Sequence, residues 1–417
     1  MRVGIIALGS TGDVLPFAGL GQALAEAGHV VTIAAHAGFE DPIRDAGLTG
    51  VELPLNPRNV DSDVQAQIRK GGIAALRAIT KSYAPQGQAI AEKIDAVAGQ
   101  SDVLLYSTLA WPSYCTAQGH GIPSFGLDLQ PMEPTGAFPP MMAPFSLGPA
   151  GNRFLARQGQ RMMFGTGITL VNAIRAGHGL PPTTARKLVR ELADRDQPIL
   201  CGFSRHIVPR PADWRDGLDL TGFWWPPAPR DFTPPPHLVD FLAAGDRPVF
   251  VGFGSMWVKD KDETGSLIRA ALRTSGKRAV VQAGWAGLEI DDENVCMIGD
   301  VPHAWLFPQM AAAVHHTGAG TMAAALRAGI PSVPVPQMMD QPFWASRVAA
   351  LGAACAPIPA RQLTASRLAA ALTEVTSAPS YRLRSRELGE LVRGEDGHAR
   401  VVERIAALEG THNYARA

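Results

Sequence analysis

The chain has no excess charge of either sign: 38 basic residues balance 38 acidic ones. A surface without net charge exerts no overall pull on nucleic acid or anionic lipid, so neither is expected as a partner. It also lacks paired cysteines. Cys115, Cys201, Cys296 and Cys355 are scattered without metal or redox spacing, and buried free thiols in a reducing cytoplasm are the expectation. Long apolar runs are missing too. Nothing approaches the roughly 20 apolar residues that cross a bilayer, and the opening "MRVGIIALGSTGD" has neither the apolar core nor the cleavage site of a secretory signal. These absences together read as a soluble, cytoplasmic protein. No internal repeat and no low-complexity tract interrupts it.

What is there is a large, apolar, globular chain. Its 417 residues exceed one ordinary core, so two or three domains are expected. "RVGIIALGS", "HVVTIAA", "DVLLYS" and "IPSFGLDL" are short apolar runs of strand length. Between the first two, "PFAGLGQALAEAG" has helical spacing, with Pro16 in a first turn and Gly28 as the stop. Proline and aromatic residues then crowd the stretch from Pro209 to Pro236, including "FWWPPAPRDFTPPP", which reads as a stiff connection. Beyond it the alternation resumes with "PVFVGFGS", "KRAVVQAG", "NVCMIG", "AAAVHH" and "PSVPVP". Strands alternating with helices imply an α/β protein with parallel sheets covered on both faces. The predicted organisation is a first doubly wound domain over 1–205, a linker over 206–245, a second doubly wound domain over 246–378, and a helical tail over 379–417 that crosses back to the first. In such sheets ligands bind beyond the carboxyl ends of the strands.

"HHTGAGT", residues 315–321, lies where a strand run gives way to a helix. A helix start exposes unpaired N–H groups and a partial positive charge, and glycines let an anion approach that backbone. Gly318, Gly320 and Thr321 offer N–H groups and a hydroxyl, and a histidine at the strand end adds a donor, a set that suits a diphosphate. An ordinary glycine turn beside a core histidine reads equally well from this stretch alone. No lysine follows the glycines, so it is not a P-loop, and the first strand–helix turn, "GSTGDVLP", lacks the G-x-G-x-x-G order of dinucleotide sites. Nineteen residues past Thr321, Asp340–Gln341 follows the next strand, a carboxylate and an amide fit for sugar hydroxyls. "GDVPHAWLFPQM" and "GFGSM" lie upstream.

This set of motifs resembles the nucleotide-sugar site of family 1 glycosyltransferases, most of all the branch that serves bacterial natural products and sterols. Members read H-H-G-G-A/S-G-T, then D-Q about 20 residues on, with V-P-H-x-W-L before it; here Thr317 stands for the first glycine. The resemblance spans both halves and implies the GT-B fold, two doubly wound Rossmann-like domains facing each other across a cleft. It assigns His316, Gly318, Ala319, Gly320 and Thr321 to the diphosphate, Val301 and His303 to the nucleoside, Ser255 to the phosphates, and Asp340 and Gln341 to the sugar. His315 is expected to be a packed, structural residue.

In the first half the branch carries G-S-x-G-D-x-x-P, which "GSTGDVLP" matches, placing Asp13 as the catalytic base; a helix N-cap is the other role that suits it. Ser10, Thr11 and Gly12 then lie on the donor side, Thr11 standing where the branch often has arginine. A carboxylate in reach of an acceptor hydroxyl takes its proton as the glycosidic bond forms. One base and one displacement imply inversion. No D-x-D metal motif is present in the expected place, so no metal or other cofactor is expected, and the co-substrate is a UDP- or dTDP-sugar. The long Pro-, Met- and Phe-rich segment 129–149 is predicted to wall the acceptor pocket through Met132, Phe138, Met141, Met142 and Phe145, with Trp111 and the 58–67 region beside it. The expected acceptor is a large apolar molecule such as a polyketide, macrolide, sterol or terpenoid, glycosylated at oxygen or at carbon, and the protein a monomer or homodimer. Two other functions share the fold: a nucleotide-sugar epimerase, which needs no apolar acceptor loop, and a non-catalytic partner of a transferase, which needs no intact donor motif.

Overall fold

The computed structural model describes residues 1–55, 78, 84–141, 143, 145–229, 231–254, 260–284 and 287–415. The chain divides into two compact units, one of residues 1–228 and 395–417, the other of residues 229–394.

The first unit is built on seven strands: β1 (Arg2–Ala7), β2 (Val30–His36), β3 (Thr49–Leu53), β4 (Val103–Ser107), β5 (Ser124–Asp128), β6 (Ile199–Cys201) and β7 (Leu218–Leu220). They lie in the order β3-β2-β1-β4-β5-β6-β7, every neighbour parallel. The order reverses between β1 and β4, which makes the loops after these two strands the switch point where such sheets bind ligands. Its helices are α1 (Thr11–Glu26), α2 (Glu40–Asp45), α3 (Gly87–Ala98), α4 (Ser113–His120), α5 (Gly148–Thr166), α6 (Ile168–Gly177) and α7 (Ala185–Asp194). Parallel strands are buried on both faces, and β1 shows why its sequence is a continuous apolar run. Ile5 packs to one side with Phe17, Leu20 and Leu24 of α1, whereas Ile6 packs to the other with Ile90 and Ile94 of α3 and Tyr114 of α4. Each such fully buried side chain stabilises the fold by roughly 1.5–3 kcal/mol.

The second unit holds α8 (Pro236–Ala243), α9 (Lys261–Ser275), α10 (His303–Leu306), α11 (Ala319–Ala328), α12 (Gln341–Ala350), α13 (Ala365–Ser377) and α14 (Pro379–Arg393). They surround a parallel sheet of β8 (Val249–Gly252), β9 (Ala279–Gln282), β10 (Val295–Ile298), β11 (Ala313–His315) and β12 (Ser332–Pro334), ordered β10-β9-β8-β11-β12. Its switch point lies between β8 and β11. The last helix, α15 (Gly397–Ala415), belongs to the first unit, where Val401 and Ile405 are fully buried beside α1.

The predicted boundaries shift. Residues 206–228 are part of the first unit rather than a free connection: β7 completes its sheet, and Trp224 is buried in its core against Phe17, ring centroids 5.8 Å apart. Prolines crowd this stretch because it runs without helix or long strand, and its aromatic residues anchor it instead. The predicted tail also splits. Helix α14 packs on α11 within the second unit, and only the segment from Glu395 belongs to the first. Helix α1 starts at Thr11, earlier than its apolar spacing implies, so Pro16 lies inside it. A proline there forgoes the bond to the carbonyl of Gly12, which is exposed and so accessible to water. All four cysteines are free and buried. Among the described residues, no helix is long and apolar enough to cross a membrane.

Candidate functional site

In the second unit the donor-assigned residues lie at the carboxyl edge of the sheet, at and beside its switch point. Strand β11 ends in His315, which is fully buried. Its Nδ1 accepts from the Thr317 amide at 3.1 Å, which puts the proton on Nε2, donated to Ser332 Oγ at 2.9 Å. His315 is thus a fixture of the turn. His316 differs. It is buried, burial pushes its pKa down to about 4, and its Nδ1 has no hydrogen-bond partner among the described residues. Its ring lies against two glycines: a Cβ on Gly318 would stand 2.5 Å from His316 Nε2, and one on Gly254 would stand 2.9 Å from Cε1. The pair forms a cradle that any side chain would fill. An unpaired buried nitrogen costs about 1–3 kcal/mol, a cost that natural proteins tolerate mainly at working sites.

Gly318 caps α11 without a side-chain hydrogen bond, and the first amide to reach back is Met322, on Gly318 O at 3.0 Å. The amides of Ala319, Gly320 and Thr321 therefore have no partner within the helix. Gly320 is exposed, with open space where a Cβ would project. Neutral imidazole, three amides and a helix dipole together make an anion site. Thr317 takes φ 62°, a left-handed conformation rare for a β-branched residue, with its buried Oγ1 unpartnered among the described residues.

Val301 is buried and leads into His303, whose ring stacks on Phe307 with centroids 4.3 Å apart and planes 14° from parallel. Burial pushes the His303 pKa down to about 4. Past β12, Asp340 caps α12 and accepts from Trp344 Nε1 at 2.9 Å. Gln341 is buried, and its Oε1 accepts from the Gln337 and Met338 amides at 2.8 and 3.2 Å. The D-Q pair therefore also holds its own turn, in which Met339 takes φ 55°. Ser255 lies outside the described residues.

In the first unit Asp13 occupies the turn after β1, at that sheet's switch point. Its Oδ2 accepts from the Ser10 amide at 2.7 Å and the Ser10 hydroxyl at 3.0 Å, so the carboxylate also caps α1. Gly9 takes φ 143°, and a Cβ there would collide with the Asp13 side chain, which is why only glycine serves at that position. Burial raises the Asp13 pKa, outweighing the Ser10 hydrogen bonds, the attraction of His36 and a hydrogen bond from Gln130. Thr11 and Gly12 follow in the first turn of α1, Gly12 exposed and Thr11 partly so.

Several residues beside this turn were not legible in advance. His36, at the end of β2, is buried, its Nδ1 3.1 Å from Ala37 O and its Nε2 on Gly9 O. Asp128, ending β5, accepts from Thr108 Oγ1 at 2.6 Å, and burial raises its pKa to about 7. The one available signal was a polar residue closing each otherwise apolar strand.

Comparison with known proteins shows the family. Residues 3–100 match the glycosyltransferase family 28 N-terminal domain, and residues 282–408 match the erythromycin biosynthesis protein CIII-like C-terminal domain. The O-mycaminosyltylonolide 6-deoxyallosyltransferase of Streptomyces fradiae is 32% identical over 411 residues, 95% of either chain. This chain is a GT-B glycosyltransferase. A sterol 3-beta-glucosyltransferase of Arabidopsis thaliana is 30% identical over 97% of the chain, which spans 65% of that longer protein. The fold of the glycosyltransferase matches the solved calicheamicin glycosyltransferase CalG4 with a TM-score of 0.69 at 19% identity, covering 98% of both chains. It matches VinC, solved in complex with dTDP, with a TM-score of 0.65 at 21% identity, over 97% of this chain and all of that one.

The predicted acceptor segment of the glycosyltransferase is strapped down by a residue that sequence reading missed. Asp213 accepts from Thr135 Oγ1 at 2.6 Å, the Gly136 amide at 2.8 Å and Arg153 Nη2 at 2.6 Å. Burial raises its pKa, but these hydrogen bonds outweigh that and pull it down to about 2. Phe138 meets Trp214 edge to face at 6.3 Å. Met132 and Met141 are half-buried, and Phe145 is 57% exposed. Trp111 packs on Phe164 with ring centroids 4.5 Å apart, so most of its ring serves the core. Met142 lies outside the described residues, as does all of the 58–67 region.

Proposed function

We propose that this glycosyltransferase moves a sugar, with inversion, from a UDP- or dTDP-sugar to a hydroxyl of a large apolar acceptor of the macrolide, polyketide, sterol or terpenoid class. Asp13 is the base. The observation that carries the donor side is the His316 cradle: a buried neutral imidazole with an unpaired nitrogen, beside glycines and the unpaired amides that start α11. As the diphosphate leaves it gathers negative charge, and fixed N–H donors stabilise that charge without reorganising. With its pKa near 4, His316 serves as a neutral hydrogen-bond donor rather than a cation. In this reading the helix start carries the load, so no metal ion is required. Ser10, Thr11 and Gly12 border the donor, Val301 and His303 the nucleoside, and Asp340 and Gln341 the sugar, which favours one with free hydroxyls such as glucose.

Asp13 suits its role because burial raises its pKa, and a stronger base takes a proton more readily. The acceptor class rests on the apolar 129–149 segment and on relatives named for transfer to a tylonolide and to sterols. An intact donor turn argues against a non-catalytic partner, and the acceptor segment against an epimerase. UDP and dTDP are expected to raise the melting temperature, and Asp13→Asn to keep that rise while losing about 100-fold or more in turnover on a test phenol. The anomeric coupling constant of the product should report a β-glycoside from an α-linked donor. Near-normal turnover in Asp13→Asn would remove the base assignment, and no thermal response to either nucleotide would remove the donor site.

A further inference from the structure

Far along the sequence from the residues assigned to transfer, three helices of the first unit end together. Helices α3, α4 and α6 pack against one another. Asp95 lies in the last turn of α3, His120 is the final residue of α4, and His178 is the C-cap of α6. Asp95 Oδ1 is 2.8 Å from His120 Nε2 and 2.9 Å from His178 Nε2. One ligating atom from each residue lies within 4.8 Å of the other two. The two imidazoles meet edge to face with centroids 4.9 Å apart. The His178 ring lies where a Cβ on Gly119 would be, so the residue before His120 must be bare for the rings to converge.

We propose that Asp95, His120 and His178 form a site for one divalent transition-metal ion of the zinc type, joining the three helix ends. Imidazole nitrogen and carboxylate oxygen are borderline-hard ligands suited to such an ion, and three protein ligands leave a fourth position for water. Side-chain exposures of 18% for His178 and 26% for His120, against 47% for Asp95, leave the cluster open to solvent. Bonds of about 2.0–2.1 Å in a tetrahedron set ligand atoms roughly 3.3 Å apart, so the carboxylate and each imidazole part by about half an ångström while the two imidazole nitrogens, within 4.8 Å of one another, settle to the same spacing. As the ion enters, each imidazole moves its Nε2 proton to Nδ1 through solvent, so both rings stay neutral and bind through Nε2. Each helix C-terminus carries partial negative charge, and three of them meeting favours a cation at this point. The ion joins three helix ends, and none of its ligands is among the residues assigned to transfer.

The test uses the full-length protein after treatment with EDTA. Titration with Co2+ should develop the intense visible absorption of a tetrahedral site, saturating at one ion per chain, and Zn2+ should displace it and raise the melting temperature. His178→Gln and Asp95→Asn keep size and hydrogen bonding; each should bind roughly tenfold more weakly or worse and lose the Zn2+-induced thermal shift. Their thermal response to UDP or dTDP, if wild type has one, should be unchanged, which checks that they fold. Absence of saturable Co2+ binding, or binding equal in wild type and the His120→Gln, His178→Gln double variant, would overturn the site and leave a carboxylate held between two imidazoles. Because the readout is metal binding, this outcome is independent of the assignments made for transfer.

Discussion

Thr317 shows how one residue can be wrong for its own backbone and still be tolerated. Its φ of 62° crowds a branched Cβ against the chain, and its hydroxyl is buried without a partner. The left-handed conformation costs roughly 1–2 kcal/mol, and the lost hydrogen bond about 1–3 kcal/mol. Glycine would remove both terms, at the expense of about 0.5–1 kcal/mol of chain entropy and some packed carbon. Thr317→Gly is therefore expected to stabilise the second unit by about 1 kcal/mol, raising its calorimetric transition by roughly 2–4 °C. An unchanged or lower transition would mean the threonine methyl contributes more than the strain removes. The same residue was visible in the sequence as a departure from the H-H-G-G pattern, but its cost was not. A left-handed angle is a property of the turn that β11 and α11 impose, and no local spacing reports it. Asp13 is similar: Oδ2 caps Ser10 while the residue as a whole is half-buried, so the cap does not exclude the proposed base.

At the scale of elements, legibility followed burial. Strands β1, β2, β4, β5 and β8 to β12 were read correctly because a parallel strand covered on both faces is written as an unbroken apolar run. Strand β3, "TGVEL", is mostly exposed, and β6 and β7 have three residues each, so they left no periodic signal. The start of α1 was missed because a capping box, not apolar spacing, sets it. The 129–149 segment stood out by composition, whereas its anchor did not, since Asp213 lies 77 residues from Gly136 and only the fold joins them. That anchor yields a prediction. Asp213→Ala removes the acceptor for Thr135, Gly136 and Arg153 together, releasing the 129–149 segment while leaving the donor turn intact. Acceptor KM is expected to rise about tenfold, reflecting a segment ordered only on binding, with donor KM unchanged. Equal changes in both constants would show that the segment does not belong to the acceptor side.

For the whole molecule, the two units carry buried ionisable groups of opposite kind. In the second, burial holds His303, His315 and His316 near pKa 4, 3 and 4, below the value of 6.5 they regain on unfolding. Folded, they resist protonation, so the stability they contribute is complete above about pH 6.5 and is lost as pH falls toward 4, by up to about 4 kcal/mol per pH unit for three protons. In the first, burial raises Asp128 to about 7 from its ordinary 3.8, and raises Asp13 and Glu133 as well. A carboxyl raised on folding stabilises fully below the unfolded value near 4, and that contribution is lost as pH climbs through 7. Between pH 5 and pH 7.5 the two effects pull apart. In calorimetry with EDTA present, the transition of the second unit should rise with pH while that of the first falls. Asp128→Asn, which keeps an acceptor for Thr108, should flatten the first and leave the second alone. The carboxyl accounts for a shift on the order of a few kcal/mol across that interval, enough to resolve even where the two units unfold in partial concert. Parallel movement of both transitions, unaltered by Asp128→Asn, would show that surface charge rather than these buried groups sets the pH response.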